Sequence, residues 1–449
     1  MPTVQAKIGS VIGLGLLLTA CTSTPLPPST ASPLPLPTAS LTPTPAAVAT
    51  LQPTLTPSPT PTASPTPIPL ADTLSDVSYR LPLVIQHVTD TSATLFFELD
   101  RPADGKLIYW PAAPNAGGQM QVDFTSEAAR HQITLSGLLP DTDYEVEAAL
   151  MREDGLYQQP GFMGQPWGLI RFRTISGQRP LRIGVIGDAG FGDQVTYALA
   201  EEMAGYDLDF VLHTGDVVYR IGENADPYEA YALKWYLPFA PLLRRMPVYT
   251  VVGNHDVEPA ALWQGSPFYY QVFPPFTDPR FEPSDNQGRN QWYAFAYGDV
   301  QFVLLDTQTF FGEGGRAEQD AWLQERLSDP RFALTIPVFH VPPYTSGLHG
   351  SDGLAVRSAW CPQFIEAGVP LVLSGHDHNY ERLTADGVTY IVSGGGSAVL
   401  YSLTALLPES QFFAKEHHFV LLEITDNQIE LQAIALGGQV IDQAVLTLR

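Results

Sequence analysis

The sequence predicts an α/β domain over residues 179–449, preceded by a small all-β sandwich over 79–176 and by a disordered linker over 21–78. Three observations predict it. From Leu181 onward, apolar runs end repeatedly in Gly followed by polar residues. Between Tyr79 and Thr174, short runs alternate with period two and are separated by turn residues. From Thr22 to Leu70, 15 of 49 residues are Pro and 18 are Ser or Thr, with no charge and no aromatic ring.

The front end reads as an address and a tether. Lys7 is the only charge before Asp72, and an apolar run from Ile8 to about Leu18 ends in Leu18-Thr19-Ala20-Cys21. A basic start, a short apolar run and small residues describe a secretory signal peptide over 1–20, too short for a spanning helix of about 20 apolar residues. Leu-Thr-Ala-Cys resembles the lipobox of bacterial lipoproteins. That resemblance implies cleavage before Cys21, a lipid on its sulfur and an extracytoplasmic, membrane-anchored protein on the cell surface or the periplasmic face. The alternative is an ordinary signal peptide beside a coincidental Cys. With Cys21 lipidated, Cys361 is the one remaining thiol of two Cys, so no internal disulfide is expected. The Pro-rich stretch has little apolar surface to bury and too few amide donors for regular structure, so it reads as a semi-extended spacer.

Composition excludes one class of partner. With 23 Lys plus Arg against 47 Asp plus Glu, the formal charge of −24 argues against specific nucleic-acid binding, which selects clustered basic residues.

In the β region, Thr94–Leu99, Lys106–Trp110, His131–Leu135, Tyr144–Ala148 and Leu169–Thr174 carry the alternation of half-buried strands. The piece Leu135-Ser-Gly-Leu-Leu-Pro140-Asp-Thr-Asp-Tyr144 resembles the fibronectin type III signature, in which the Tyr closes a tyrosine corner. No cluster of titratable groups appears here, and His87 and His131 are expected to be exposed or structural. The domain is expected to position its neighbour.

The chemistry lies further on. Leu181–Ile186 leads into Gly187-Asp188-Ala-Gly190, Phe210–Thr214 into Gly215-Asp216-Val-Val-Tyr219, and Val248–Val252 into Gly253-Asn254-His255-Asp256. Leu334–Phe339 ends at His340, and Leu371–Ser374 leads into Gly375-His376-Asp377-His378. Continuous Val/Ile/Leu strands are buried on both faces, with helical segments such as Glu318–Leu327 between some of them. Polar residues at strand C-terminal ends are where open α/β sheets build sites. Singly, each motif is weak: Gly-Asp is commonly a turn, and Asn254-His255 could be a helix cap. As an ordered set of five strand exits they point to two metals. Asp, Asn and Tyr oxygens with His nitrogens suit Fe, Zn or Mn. Two ions about 3.5 to 4 Å apart need a shared ligand, which a carboxylate supplies. His376 and His378 are two residues apart and, in an extended segment, point the same way. A phenolate at Tyr219 must lose a proton whose ordinary pKa is about 10, which favours a trivalent ion such as Fe(III).

On these motifs the chain resembles the metallophosphoesterase superfamily, and Gly215-Asp216-Val-Val-Tyr219 makes it most similar to the purple acid phosphatases. The resemblance implies a β-sandwich flanked by helices and hydrolysis of a phosphate ester at two metals. It implies that Asp188, Asp216, Tyr219 and His378 hold Fe(III), and that Asp216 bridges to a Zn, Mn or Fe ion held by Asn254, His340 and His376. It implies for His255 a role on the phosphoryl group or leaving oxygen, and His349 in Ser346-Gly-Leu-His-Gly350 resembles a second substrate-side His, unless it is simply solvated. Asp256 stands where many relatives have Glu, and Pro337 stands where the family often has Val before the His. His213 is expected to lie in the core or behind a ligand, His417 and His418 to be structural or exposed, and Tyr380, Glu381 and Arg382 to be structural unless they orient the loop. Ser393-Gly394-Gly395-Gly396 either lets backbone approach the site or is a plain turn. Rival readings are a phosphodiesterase or nucleotidase using the same ions, with specificity in loops such as 263–290, and a non-catalytic surface lipoprotein.

Overall fold

The structure, a computed structural model, describes residues 73–448 except 114–116, 156, 178–179, 264–265, 276–277, 279, 282–290 and 313–314. The signal, Cys21 and the linker up to residue 72 lie outside the described residues, as does half of the 263–290 loop. Among the described residues no helix is long and apolar enough to cross a membrane.

The first domain is two packed sheets. One runs β5 (Arg130–Ser136), β2 (Ser92–Leu99), β1 (Tyr79–Val88) and then the short pairs Gly161–Phe162 and Gln165–Pro166. The other runs β7 (Ile170–Arg173), β6 (Asp143–Met151), β3 (Gly105–Pro111) and β4 (Met120–Phe124), with Tyr157–Gln158 paired to β6. Alternation decides which side chains enter the core: β6 buries Tyr144, Val146 and Ala148 and turns Glu145 and Glu147 outward. The Leu139 N–H donates to the Tyr144 hydroxyl at 2.9 Å, so the ring is fixed at both ends. Tyr144→Phe keeps the packing and removes that bond, and should destabilise the sandwich by about 1 kcal/mol in a denaturant titration.

The second domain is two larger sheets. The first has six strands in the order β10 (Val248–Thr250), β9 (Phe210–His213), β8 (Leu181–Ile186), β18 (His418–Ile424), β19 (Gln428–Ala435) and β20 (Gln439–Thr447). The second has seven, in the order β11 (Tyr293–Tyr297), β12 (Val300–Leu304), β13 (Leu334–Val338), β14 (Leu371–Ser374), β16 (Val388–Ser393), β15 (Tyr380–Ala385) and β17 (Ser410–Ala414). Pairing is parallel among β8, β9 and β10 and along β12, β13, β14 and β16. The remaining pairings are antiparallel, among them β8 with β18.

Period two makes each buried strand serve two cores. Phe302 and Leu304 join the cluster with Ile183, Val185 and Phe210, whereas Val303 and Leu305 join Trp360 and Phe364 of a helix. A strand with both faces covered has no polar side, which is why these runs read as continuous Val, Ile and Leu. Pro337 has no N–H to donate, and the β13–β14 ladder registers only at Val338↔Leu373.

Three long helices cover the outer faces. α1 (Gln194–Met203) starts where Asp193 accepts from the Thr196 N–H at 3.0 Å, and it buries Thr196, Leu199, Ala200 and Met203. α2 (Arg316–Leu327) begins two residues before the expected Glu318, because Arg316 bonds Asp320 one turn on at 2.8 Å and lies over the Phe310 ring. α3 (Leu354–Glu366) buries Val356, Trp360 and Phe364.

The two domains share one hydrophobic cluster. His87 is buried rather than exposed, its Nδ1 lying 2.6 Å from the Tyr249 hydroxyl across the junction. The Arg171 N–H donates to the Arg244 carbonyl at 2.8 Å, and Gln86 donates to the Pro274 carbonyl at 2.7 Å.

Candidate metal centre

Every predicted ligand leaves the C-terminal end of a parallel strand. Asp188 follows β8, Asp216 and Tyr219 follow β9, and Asn254 follows β10; from the other sheet, His340 follows β13 and His376 and His378 follow β14. The site therefore lies where the strand ends of the two sheets meet. Asp188, Asp216 and His376 have φ of 57°, 55° and 70°, a left-handed backbone that non-glycine residues seldom adopt and that clusters at functional sites. Gly253 is required for space: a Cβ there would lie 2.1 Å from Asp216 Oδ1. In the glycine run, a Cβ on Gly394 would lie 2.4 Å from the Asp377 carbonyl oxygen, so close backbone approach accounts for that residue.

The donor atoms converge. One ligand atom each of Asp188, Asp216 and His340 lies within 4.8 Å of the others. The Tyr219 hydroxyl donates to Asp188 Oδ1 at 3.0 Å and is 3.2 Å from His378 Nε2. His340 Nε2 is 3.0 Å from Asn254 Oδ1 and 3.4 Å from Asp216 Oδ1, so the Asn254 side chain serves the site rather than a helix cap. The imidazoles are oriented from behind. His340 Nδ1 donates to the Thr214 carbonyl at 2.8 Å and His378 Nδ1 to the Val399 carbonyl at 2.9 Å, which turns each Nε2 into the site. Such backing fixes tautomer and ring orientation in metal sites. His376 is reversed: its Nε2 is 3.2 Å from Asp352 Oδ2, which leaves Nδ1 as the available donor.

Electrostatics match a site built for cations. Burial alone would raise the Asp216 carboxyl, but His340 and His255 hold it well below the usual range. Burial opposes charge on His340 as well, yet Asp216 lifts it to about 9. Burial and the charge on His340 push His376 down to about 4. Burial, then Asp188 and Asp216, hold the Tyr219 phenol well above its ordinary value. Two buried carboxylates whose positive partners among the described residues are imidazoles, with lone pairs aimed inward, fit a pair of borderline cations.

Supporting residues lie both outside the strand-exit motifs and, as Asp256 and Asp377, within them. Asp352 Oδ2 accepts from both His349 Nδ1, at 3.0 Å, and His376 Nε2, and the His349 and His376 rings are 4.4 Å apart. Glu258 Oε1 is 2.5 Å from His255 Nδ1, and the other ring nitrogen is 3.9 Å from Asp216 Oδ2. His255 and His349 thus each have an acid three residues later, a spacing visible in the sequence. Asp256 accepts from the Gly253 N–H at 2.9 Å and the Val217 N–H at 3.1 Å, tying the Asp216 and Asn254 loops together. Burial and then the Asp216 charge push it up to about 7. Asp377 accepts from Thr345 Oγ1 and from the Leu348 and His349 N–H groups, and Glu381 accepts from the Ser346 N–H, so both organise the His349 loop. Asp352→Ala removes the acceptor behind His376 and should weaken binding of the ion at His340 and His376 by about 10- to 100-fold in a metal titration, with the fold unchanged by circular dichroism.

The other histidines have structural surroundings. His213 packs against Trp235 and Phe239, and the Gly215 N–H donates to its Nδ1. His131 stacks on Phe97. His418 lies between the Glu416 carbonyl and the Ser393 hydroxyl, and His417 donates to the Gly396 carbonyl. Tyr380 and Arg382 both bond Asp442. Cys361 is a buried free thiol, pushed up to about 11 by that burial.

This fold and this donor set define a metallophosphoesterase, and residues 181–380 match the calcineurin-like phosphoesterase family, so the chain carries that domain and is a phosphoric ester hydrolase. Its relatives within the class include purple acid phosphatases. It is 27% identical over 339 residues to purple acid phosphatase 23 of Arabidopsis thaliana, covering 69% of this chain and 67% of that one. It is 25% identical over 273 residues to a barley (Hordeum vulgare) nucleotide pyrophosphatase/phosphodiesterase, covering 51% and 68%. The purple acid phosphatase from yellow lupin (Lupinus luteus) seeds has the same fold, with a TM-score of 0.64 at 18% identity over 81% of this chain and 74% of that one. The chain spans about half the length of several other relatives, among them probable purple acid phosphatase 20 of A. thaliana at 49%.

Proposed function

We propose that the protein hydrolyses phosphate monoesters at a dinuclear metal centre and releases inorganic phosphate outside the cytoplasm. The observation that carries this reading is the meeting of Asp188, Asp216, Tyr219, Asn254, His340, His376 and His378 beneath two histidines that each have an acidic partner. Asp188, Asp216, Tyr219 and His378 would hold Fe(III). Asp216 would be shared with a Zn, Mn or Fe ion held by Asn254, His340 and His376. Tyr219 supports the trivalent choice, because a phenol with an ordinary pKa of about 10 needs a strong Lewis acid to release its proton. When bound, the two ions supply Lewis-acid polarisation of the phosphoryl oxygens and a water acidified toward pH ~7 as nucleophile.

The chain's own residues do the rest. Glu258 holds His255 by Nδ1, so Nε2 is presented to the leaving oxygen and delivers its proton. His349, held by Asp352, is the second donor on the same side. The Asp352 and Glu258 carboxylates keep both rings from turning away. The chain's charge of −24 would repel an anionic ester, so local cation charge has to dominate at the mouth.

The remaining parts follow the same reading. The bond between Tyr144 and Leu139 supports a fibronectin type III-like first domain. Leu18-Thr19-Ala20-Cys21 supports anchoring through a lipid on Cys21, with the linker as a spacer. The barley relative's name favours, as a second reading, a phosphodiesterase using the same ions.

The test is turnover of an aryl phosphate monoester and the matching diester by the full chain, with and without chelator. Monoester turnover that chelator abolishes and added metal restores is the expected result. A strong preference for the diester would replace the monoesterase reading with the phosphodiesterase one, and no turnover with two metals bound would leave a binding role.

A further inference from the structure

Two loops frame the metal centre; the first is mostly polar but carries one exposed leucine, and the second is largely apolar where a site for an anion would ordinarily be basic. The first carries Leu348, beside His349. The second, residues 397–408, contains no charged residue in a chain with 47 acidic and 23 basic ones. Four large aliphatic side chains on these loops face solvent: Val399 is 75% exposed, Leu406 66%, Leu348 57% and Leu403 46%. Scattered exposed leucines need no explanation, but several gathered around a site do.

These loops are bonded to the ligands and to each other. The Val399 carbonyl accepts from His378 Nδ1, and the Tyr401 N–H donates to the His378 carbonyl at 2.9 Å. The Tyr401 ring stacks on His378 at 4.2 Å and lies 5.4 Å from His349. The Thr404 and Ala405 N–H groups donate to the Ser346 carbonyl at 2.9 and 3.1 Å, and the Leu407 N–H to the Ser346 hydroxyl at 3.0 Å. The backbone that carries these leucines is therefore tied to the segments that hold His378 and His349.

We infer that this rim receives the organic part of the substrate, which is an alkyl or aryl phosphate: an amphiphilic ester with its phosphate at the metals and its apolar body against Leu348, Val399, Tyr401, Leu403 and Leu406. The inference rests on the phosphatase reading and narrows its substrate class.

The test separates binding from turnover. The metal-loaded full chain is titrated calorimetrically with inorganic phosphate and with ethyl-, butyl- and octylphosphonate, which carry the same headgroup and cannot be hydrolysed. A fully buried methylene is worth about fourfold in affinity, and half burial on an open rim about twofold. Kd should fall about twofold per added methylene, with a heat capacity of binding that becomes more negative along the series. In Leu403→Ser/Leu406→Ser, both replaced at exposed positions, the octyl-to-ethyl affinity ratio within that protein should fall at least several-fold. Equal Kd values along the series with phosphate still bound would overturn the rim assignment and leave the phosphatase reading standing. Failure to bind even inorganic phosphate would overturn both.

Discussion

Asp216→Asn should lose metal and activity together while keeping the fold. Asn is among the few residues that tolerate the left-handed backbone at this position, where φ is 55°. Its amide oxygen can still accept from the His255 N–H, which donates to Asp216 Oδ1 at 2.9 Å. What disappears is the negative charge and the second anionic oxygen, the two properties that let one side chain serve two cations. Metal content measured by atomic emission should drop below two ions per chain. Hydrolysis should fall about 10³-fold, since several kcal/mol of Lewis-acid stabilisation are lost at about 1.4 kcal/mol per tenfold. Unaltered metal content with unaltered turnover would mean that Asp216 bridges nothing and that the site is not dimetallic.

The effect is expected to be that large because the neighbours have no substitute. His340 is held at about 9 chiefly by Asp216 against the cost of burial, and without that charge it becomes an ordinary buried neutral ring. Asp256, itself buried and pushed up to about 7, faces the Gly253 and Val217 amides rather than the cations. Asp188 is already engaged by the Tyr219 hydroxyl and the His376 N–H.

The candidate residues were legible because of where they stand. A strand such as Phe210–His213, buried along its whole length, gives no packing reason for a Gly-Asp at its exit, so the polar residue reads as functional. The supporting acids were less legible because each acts through another residue. Glu258 and Asp352 look like ordinary surface carboxylates until His255 and His349 are seen bonded to them, although the three-residue spacing was there to be read. Tyr401 lies in an apolar run with no motif, and only the fold stacks it on His378. In the fold, the strands ending in site residues were evident. β15 to β20 were not, because they end in ordinary turns, and the pairing of β18 with β8 joins segments far apart in sequence. Which of its two expected states His87 takes, exposed or structural, could not be read for the same reason: its burial depends on Tyr249, 162 residues away.

Metal loading should depend steeply on pH, because without metal a proton occupies the ligand set. His340 is raised from 6.5 to about 9, and its Nε2 points at Asp216 and Asn254, where a cation would bind. A histidine raised in the folded state stabilises it fully below its unfolded value and loses that contribution as pH rises through the folded one. The metal-free protein should therefore lose stability between pH 6.5 and 9. Asp256, raised from 3.8 to about 7, acts in the same direction at the lower end. Below pH 6.5 the buried neutral rings of His213, His376 and His418, each lowered to about 4, oppose it, so stability should peak near their ordinary value of 6.5. A bound cation takes the place of the His340 proton, so the loaded protein should not show the alkaline decline. By the same competition, apparent metal affinity should rise about tenfold per pH unit for each proton displaced, up to pH 9. Tyr219 adds a proton of its own if it binds as phenolate, so the slope in Tyr219→Phe should be lower by about one decade per unit. Thermal midpoints at pH 6.5 and 9, with and without metal, and metal titrations across that range read both effects. A metal-free protein equally stable at both pH values would sink the assignment of the proton to His340, and an unchanged slope in Tyr219→Phe would mean that Tyr219 keeps its proton and is not a phenolate ligand.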